Sequence, residues 1–337
     1  MTSNMRAAVY RGPGTLEVTE VPRPEVGVGD CVVEVERCGI CGTDLHMVLE
    51  GWGRPDSIGG HEWVGTIVEA DDTQMVGRRV AGGPEAACGG CRHCRSGRSS
   101  LCINRDAPGV TPTQGAFAEY IKRPLENLVV VPDGLDSHRA ALAEPLAVAL
   151  HALTLGGVKA ADQVLISGAG PIGAALVALL VHRGITPVVV EPATTRAALA
   201  TELGALVMAP DELQSAAMPM DVIASPFGVV FECSGKVQAM ETGLQQLDRA
   251  GRLVLVGTGM DSPRFDPNRI LLNELVITGA FNYDDGGFTA ALELLANETF
   301  PADQLIEPEA IGLDDLLATM QRLAGGQIAG KVMVKPS

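Results

Sequence analysis

A cluster of four cysteines constrains the fold of this chain more than any other feature: Cys88, Cys91, Cys94 and Cys102. Their spacing is C-x2-C-x2-C-x7-C, and Gly89, Gly90 and Gly97 supply the tight bends that let four sulfurs converge. Four thiolates in a tetrahedral arrangement suit Zn²⁺ in a structural site that is closed to substrate. An iron–sulfur cluster is the chemical alternative, and a zinc knuckle that binds nucleic acid is the functional one. We therefore predict a metal-bound lobe over residues 88–102.

The charge of the chain bears on its partners. The 337 residues carry a formal net charge of −16, which repels a phosphate backbone, so nucleic acid and anionic membranes are not expected partners. The segment from Met1 to Tyr10 has neither a long apolar run nor a cleavage signal. Clustered cysteines are typical of metal sites in a reducing compartment. These features predict a cytoplasmic protein.

The sequence pattern changes along the chain and predicts two domains. From Arg6 to Val80, short β-branched runs alternate with Gly and Pro turns, which is typical of a β-rich, barrel-like domain. From Leu146, predicted strands such as Leu253 to Val256 alternate with helical stretches such as Val237 to Leu247, which indicates a parallel sheet covered on both faces. We predict an α/β protein with a β-rich domain over 1–145, a doubly wound Rossmann domain over 146–280, and a further segment over 281–337.

A glycine-rich turn, Gly168-Ala169-Gly170-Pro171-Ile172-Gly173, follows a predicted strand and begins an apolar helix. Gly168 would allow the tight turn, Gly170 would let backbone amides approach a pyrophosphate, and Gly173 would let the helix pack closely on the strand. Pro171 suits the first helical position, where its missing N–H costs nothing. The alternative is a turn that only packs a helix.

An acidic residue, Glu191, ends the next predicted strand. A carboxylate there would accept hydrogen bonds from the adenosine ribose and repel a 2′-phosphate, which favours NAD over NADP. Arg196 is either a surface helix residue or a group that stacks on adenine or meets a phosphate. The predicted coenzyme-binding residues are Gly168, Gly170, Pro171, Ile172, Gly173, Glu191 and Arg196.

A second set of possible metal ligands lies in three short motifs: Cys38-Gly39-Ile40-Cys41-Gly42-Thr43-Asp44-Leu45-His46, Gly60-His61-Glu62 and Ala143-Glu144-Pro145-Leu146. A thiol, an imidazole and two carboxylates form a mixed set that is more typical of catalytic than of structural zinc. Cys38 and Cys41 form C-x-x-C, so Cys38 is a redox partner, an alternative ligand or a small buried filler.

Taken in order, these motifs and a final G-K-V-M-V resemble the zinc-containing medium-chain dehydrogenase/reductases over nearly the whole chain. The Glu-Pro-Leu motif resembles the sorbitol, threonine and butanediol dehydrogenase branch. The resemblance implies a GroES-like catalytic domain that the C-terminal segment completes. It also implies two zinc ions per subunit, NAD-linked oxidation of an alcohol to a ketone, and a homodimer or homotetramer.

The same resemblance assigns roles to individual residues. The residues that match the catalytic zinc site are Cys41, His61, Glu62 and Glu144. Because one thiolate, one neutral imidazole and one carboxylate balance Zn²⁺, we expect one of Glu62 and Glu144 to bind directly and the other through water or by exchange. Asp44 matches a residue that orients a ligating imidazole. Thr43 matches the hydroxyl that takes the alcohol proton, and His46 the residue that passes it on.

The substrate is indicated less directly. Phe281-Asn282-Tyr283 resembles the Phe-Arg-Tyr segment of sorbitol dehydrogenases, but a neutral amide cannot clamp a carboxylate as a guanidinium does. With the Glu144 branch, this favours a secondary alcohol or polyol, such as a sugar alcohol, cyclitol or vicinal diol. The alternatives are simple alcohols or aldehydes, L-threonine, a zinc-free reductase, and a non-catalytic NAD-binding zinc scaffold. Trp52 either lines the substrate pocket or has an ordinary packing role.

Overall fold

The computed structural model describes residues 4–84, 87–105 and 115–337 of the chain. The chain divides into two compact units. The first comprises the described parts of Met1–Pro145 together with Asp284–Gly325 and Lys331–Ser337, and the second comprises Leu146–Tyr283 and Gly326–Gly330. The C-terminal segment predicted over 281–337 differs from this division, because residues 281–283 and 326–330 belong to the second unit.

The described residues form both strands and helices in the order that the sequence pattern indicates. The strands are β1 (Asn4–Gly12), β2 (Thr15–Pro22), β3 (Asp30–Gly39), β4 (Ser57–Ile58), β5 (Glu62–Ala70), β6 (Arg79–Gly82), β7 (Tyr120–Pro124), β8 (Val129–Val130), β9 (Val164–Ser167), β10 (Val188–Val190), β11 (Leu206–Met208), β12 (Phe227–Glu232), β13 (Leu247–Leu255), β14 (Val276–Gly279) and β15 (Met333–Val334). The helices are α1 (Gly42–Leu49), α2 (Arg92–Arg95), α3 (Ser137–Ala140), α4 (Ala143–Gly156), α5 (Pro171–His182), α6 (Thr194–Glu202), α7 (Val237–Gln245), α8 (Pro267–Asn273), α9 (Gly287–Leu295) and α10 (Leu316–Ala324). None of these described helices is both long and apolar enough to span a bilayer.

Two antiparallel sheets form the first unit. One has the order β2-β1-β4, and the other has the order β15-β3-β5-β6-β8, with β7 also paired to β3. Met5, Ala7 and Val9 of β1 pack with Ala118 in a buried cluster, because alternate residues of a strand point to the same face. The β-rich domain predicted from the sequence is confirmed.

The last strand, β15, brings the C-terminal segment back to this unit. It pairs antiparallel with β3, so that Met333 lies opposite Gly39. Just before it, the backbone N–H of Lys331 donates to the carbonyl of Leu305 at 2.8 Å. The backbone around Lys331 is thereby fixed beside the end of β3.

A parallel six-stranded sheet forms the second unit, with the order β11-β10-β9-β12-β13-β14. Its centre is apolar, and Leu165, Val230 and Leu253 on adjacent strands are fully buried. The chain order reverses between β9 and β12, and a ligand binds at this point in doubly wound sheets, beyond the carboxyl ends of the strands. The predicted Rossmann-type parallel sheet is confirmed.

One strand boundary differs from the sequence prediction. The pattern indicated a helix that reaches Leu247 and a strand that begins at Leu253, whereas β13 already begins at Leu247. The intervening residues Asp248, Arg249 and Ala250 are exposed, and Ala250 has a left-handed φ of 58°. Because of these exposed residues and the irregular backbone, the first part of the strand does not show the alternation of apolar residues by which strands are recognised.

Candidate active site

The mixed ligand set meets where β3 ends and β5 begins. The register of the two strands places Gly39 opposite Glu62. Cys41 follows β3 and precedes α1, while His61 directly precedes β5. One ligand atom from each of Cys41, His61 and Glu62 lies within 4.8 Å of the others. This separation is compatible with a single zinc ion bound at ~2.0–2.3 Å by a thiolate, an imidazole and a carboxylate.

Glu144, the fourth predicted ligand, lies outside this group of three. It belongs to the first turn of α4 and is buried. Burial raises the pKa of Glu144 to about 7, with the charge of His61 opposing the shift and that of Glu62 adding to it. The carboxyl is therefore electrostatically linked to two of the three grouped ligands. Its binding through water or by exchange stays a prediction.

A buried lysine, Lys331, contacts the predicted ligands, and the sequence analysis assigned no role to it. Lys331 Nζ donates to Glu62 Oε1 at 2.7 Å and to the carbonyl of Ile40 at 2.9 Å. Burial lowers the pKa of Lys331, but the charges of Glu62 and Cys41 outweigh it and raise that pKa above its usual value. The only sequence signal for this residue was the final G-K-V-M-V motif.

The second oxygen of Glu62 has no hydrogen-bond partner. Glu62 is fully buried, and among the residues that the structure describes none donates a hydrogen bond to its Oε2. Buried polar atoms are almost always satisfied, and an orphaned carboxylate oxygen among a thiol and an imidazole is explained by a cation. The donor set therefore fits a zinc ion.

Asp44 joins the two segments that carry the ligands. Its Oδ2 accepts from the N–H of Cys41 at 2.9 Å, and its Oδ1 accepts from the N–H of Gly60 at 3.2 Å. His61 Nδ1 lies 3.8 Å from Oδ1, which is too far for a hydrogen bond. Asp44 thus holds backbone on both sides of the site in this structure, whereas the resemblance assigned it to the imidazole.

The buried acidic groups also affect the histidine. Burial lowers the pKa of His61, but the charges of Cys41, Asp44 and Glu144 outweigh burial and raise it well above its usual value. A group of negative side chains that attracts a proton this strongly also attracts a metal cation. The electrostatics of the site therefore agree with its donor set.

Helix α1 carries the two residues of the predicted proton relay. Thr43 and His46 are three positions apart and so lie on one face of the helix. The His46 ring stacks on Trp52, with centroids 4.6 Å apart and an interplanar angle of 13°. His46 Nδ1 lies 2.9 Å from Glu50 Oε2, a close contact that does not meet hydrogen-bond geometry. Trp52 therefore packs on His46, and its possible place in the substrate pocket stays a prediction.

Cys38 is buried next to this site. Its thiol donates a long contact of 3.5 Å to the carbonyl of Gly39, and burial raises its pKa well above the usual value. Reactive thiols have lowered pKa values and are accessible. These properties favour the interpretation of Cys38 as a small filler.

The four-cysteine lobe forms a second, separate donor group. One sulfur from each of the four cysteines lies within 4.8 Å of the others. Backbone N–H groups lower the pKa of Cys91 to about 6, while burial and the neighbouring sulfurs raise that of Cys94 to about 12. Four sulfurs this close cannot all be thiolates without a cation between them, so the lobe fits a closed structural zinc site.

The glycine-rich turn joins β9 to α5. Gly168 has a left-handed φ of 94°, and a Cβ at Gly173 would lie 2.0 Å from the carbonyl oxygen of Gly168. A Cβ at Gly170 would meet nothing within 4 Å, so the backbone there is open to a ligand. Pro171 is in the first turn of α5, and Ile172 follows it. The turn therefore has the shape that the sequence motif predicts for a pyrophosphate site.

Glu191 is tied to this turn. Its Oε2 accepts from the N–H of Ala169 at 2.7 Å, and its Oε1 accepts from the N–H of Ala193 at 2.8 Å. The carboxylate therefore orders the loop, a role that the sequence did not indicate. Arg196 Nε donates a long bond of 3.4 Å to the carbonyl of Ile328, and its contact with the coenzyme stays a prediction.

Two family models match the chain. Residues 27–133 match the alcohol dehydrogenase GroES-like domain, and residues 171–297 match the zinc-binding dehydrogenase domain. The L-threonine 3-dehydrogenase of Mesorhizobium japonicum is 32% identical, and the match covers 98% of this chain and 99% of that protein. The chain belongs to the zinc-containing medium-chain dehydrogenase/reductase family.

Solved structures of the family agree with this assignment. A zinc-binding dehydrogenase of Sinorhizobium meliloti bound to NADP is 32% identical, with a TM-score of 0.86 over 99% of this chain and all of that one. The 2R,3R-butanediol dehydrogenase of Bacillus subtilis is 30% identical, with a TM-score of 0.86 over 99% of this chain and 100% of that one. This family member is therefore an oxidoreductase with zinc and a nicotinamide dinucleotide, NAD(P), as cofactors.

The asparagine in Phe281-Asn282-Tyr283, the segment that resembles Phe-Arg-Tyr of sorbitol dehydrogenases, has a local explanation. Asn282 has a left-handed φ of 55°, and its Oδ1 accepts from the N–H of Tyr283 at 2.9 Å. Asparagine is one of the few residues that adopt this conformation readily. The asparagine is therefore explained by the turn it makes, so it carries less information about the substrate than the sequence suggested.

Proposed function

We propose that this dehydrogenase oxidises a secondary alcohol with a neighbouring polar group, in the first place a polyol or vicinal diol, to a ketone, with NAD⁺ as the hydride acceptor. The observation that carries the proposal is the grouping of Cys41, His61 and Glu62 within 4.8 Å, beside the buried Glu144. A structural site would be closed by four ligands, whereas three protein ligands leave a position for an alcohol oxygen.

Cys41, His61 and Glu62 would hold the zinc ion, which would act as a Lewis acid and lower the pKa of the alcohol hydroxyl. The side chains of this protein supply the rest of the chemistry. The Thr43 hydroxyl accepts the alcohol proton, and His46 on the same helix face takes it on to solvent. Glu50 Oε2 lies 2.9 Å from His46 Nδ1, beside the ring that receives the proton.

The preference for NAD⁺ rests on Glu191. Its oxygens already accept backbone N–H groups, and a carboxylate with free lone pairs can accept further hydrogen bonds from ribose hydroxyls. A 2′-phosphate would meet the same negative charge and be repelled. Similarity to relatives does not decide between NAD⁺ and NADP⁺, because the structure of the Sinorhizobium meliloti relative contains NADP.

The substrate class rests on the chemistry of the named relatives. Threonine and 2,3-butanediol each carry a secondary hydroxyl next to a second polar group. A site that hydrogen-bonds that second group discriminates strongly against substrates that lack it, because its buried polar groups would be left unpaired. L-threonine is the second candidate, favoured by the relative that matches nearly the full length of both chains.

The oligomeric state of this protein, a homodimer or a homotetramer, stays a prediction.

Steady-state NADH formation from a panel of alcohols tests the proposal. The panel contains sugar alcohols, a cyclitol, 2,3-butanediol, L-threonine, ethanol and benzyl alcohol. We expect the highest kcat/KM for a polyol or vicinal diol, whereas the highest value for L-threonine would favour the second candidate. A higher kcat/KM for ethanol or benzyl alcohol than for every diol and for L-threonine would show that the proposed substrate class is wrong.

A further inference from the structure

Lys331 contacts both segments that carry the predicted zinc ligands. Its Nζ donates to Glu62 Oε1 at 2.7 Å and to the carbonyl of Ile40, the residue before Cys41, at 2.9 Å. The side chains of Lys331 and Glu62 are 2% and 0% exposed. A buried ammonium group with two such acceptors has little freedom to move away from either.

The surrounding backbone leaves space for this pair only because residue 39 is glycine. A Cβ at Gly39 would lie 2.2 Å from Glu62 Oε2 and 3.2 Å from Lys331 Cδ. Gly39 lies between Glu62 on β5 and Met333 on β15. The position of Lys331 is fixed as well, since its backbone N–H donates to Leu305 and its carbonyl accepts from Glu307.

The charge balance of the site explains why a lysine is paired with Glu62. The Cys41 thiolate and the Glu62 carboxylate match the two positive charges of a zinc ion, and the buried carboxyl groups of Glu144 and Asp44 add negative charge beyond that when they ionise. An excess of negative charge weakens zinc as a Lewis acid. The ammonium of Lys331 supplies the missing positive charge within hydrogen-bond distance of Glu62.

We propose that Lys331 is a positioning residue for the catalytic zinc: it holds Glu62 through Oε1, leaves Oε2 as the oxygen without another partner, and balances the second carboxylate of the site. The inference rests on the proposed zinc site. Lys331 acts through Glu62, and its bond to the carbonyl of Ile40 holds the ammonium in place beside that carboxylate. The C-terminal segment therefore returns to the first unit to complete the metal site as well as the sheet.

Release of zinc to a chelator, followed in the full-length zinc-loaded protein, tests this inference without depending on turnover. We call the site of Cys41, His61 and Glu62 the mixed site. Zinc release from it is identified as the kinetic phase that is missing in Cys41→Ser. We expect Lys331→Met to speed this phase by about ten- to a hundredfold and to leave the phase of the four-cysteine lobe unchanged. Lys335→Met, on an exposed residue four positions further on, is the matched control and should release zinc as the wild type does.

A double-mutant cycle with Glu62→Gln separates positioning from a general structural role, and Lys331→Arg, which keeps the buried positive charge, should release zinc more slowly than Lys331→Met. If Lys331 acts through Glu62, the variant that combines Glu62→Gln with Lys331→Met releases zinc no faster than Glu62→Gln alone. Wild-type release from Lys331→Met, or an equal acceleration in both backgrounds, would overturn the inference. A wild-type protein without zinc in the mixed site would instead show that the proposed function is wrong.

Discussion

The backbone N–H of Ala169 donates a hydrogen bond of 2.7 Å to Oε2 of Glu191. This bond joins the end of β10 to the glycine-rich turn after β9, the neighbouring strand in the sheet. The other oxygen, Oε1, accepts from Ala193. Glu191 thus supports the shape of the turn in addition to its proposed contact with the coenzyme, and both roles are lost together when it is replaced.

Replacing Glu191 with alanine should lower kcat/KM for NAD⁺ by about ten- to a hundredfold, because two hydrogen bonds to backbone and the ribose contact disappear. Most of the loss should be in KM, and the preference over NADP⁺ should narrow because the repulsion of a 2′-phosphate is removed. Steady-state kinetics with both coenzymes measure this. Glu202→Ala, at an exposed position of α6, is the control. A wild-type kcat/KM for NADP⁺ that equals or exceeds the value for NAD⁺ would refute the coenzyme preference.

Asp44→Asn should weaken zinc binding at the mixed site. An asparagine side chain has one acceptor oxygen, so it can hold only one of the two backbone N–H groups, of Cys41 or of Gly60, that Asp44 now accepts. We expect a loss of about ten- to a hundredfold in zinc affinity, measured by competition with a chelator. Asp133→Asn, at an exposed position, should behave as the wild type. Unchanged zinc affinity in Asp44→Asn would show that this carboxylate does not organise the ligands.

The pKa of Glu144 predicts how the stability of the metal-free protein depends on pH. Burial raises that pKa from 4.5 to about 7, so the folded state binds the proton more tightly than the unfolded state. The stabilisation is complete below pH 4.5 and is lost as the pH rises through about 7. His61 contributes in the same direction, because its pKa is also raised in the folded state.

Urea unfolding of metal-free protein between pH 4.5 and 8 measures this dependence. In the wild type, the free energy of unfolding should decrease as the pH rises from 4.5 to 8. We expect this decrease to be smaller in Glu144→Gln, by an amount on the order of 3 kcal/mol for a pKa shift of this size. The titration of His61 should remain in the variant. An identical pH profile for the wild type and Glu144→Gln would contradict the raised pKa of Glu144.

Cys91→Ser should remove one zinc ion per chain and lower the melting temperature. The binding energy of a closed structural site is also folding energy, so its loss destabilises the lobe over residues 88–102. Elemental analysis and thermal unfolding measure the two effects. A Cys91→Ser protein that keeps two zinc ions at the wild-type melting temperature would exclude a structural site in this lobe.

Local motifs predicted much of the fold and of the site. The glycine-rich turn was predictable because Gly168 and Gly173 are needed within one short segment, where backbone conformation and close packing leave little choice. The four cysteines were predictable for the same reason, since their short spacing brings their sulfurs together. Cys41 and the His61-Glu62 pair needed the family resemblance, because only the register of β3 with β5 brings them together.

The remaining features depend on contacts that no local pattern reports. Lys331 lies 269 positions from Glu62 in sequence, and a lysine before a short strand gives no sign that its ammonium is buried. A lysine of this kind usually lies at the surface. Glu191 was predicted as a coenzyme ligand, but its bonds to Ala169 and Ala193 require knowledge of how neighbouring strands end. The left-handed φ of Asn282 likewise becomes evident only from the backbone.

NADH formation from a secondary alcohol, compared between the zinc-loaded wild type and Cys41→Ser, most directly tests the assignment of Cys41, His61 and Glu62 as the catalytic zinc site. We expect turnover in the wild type and none in Cys41→Ser, which should remain folded and keep the zinc of the four-cysteine lobe. Cys31→Ser, at a buried thiol of β3 outside both metal groups, should retain turnover. Undiminished turnover in Cys41→Ser, or no NADH from any alcohol of the panel with wild-type protein that holds two zinc ions, would contradict the assignment.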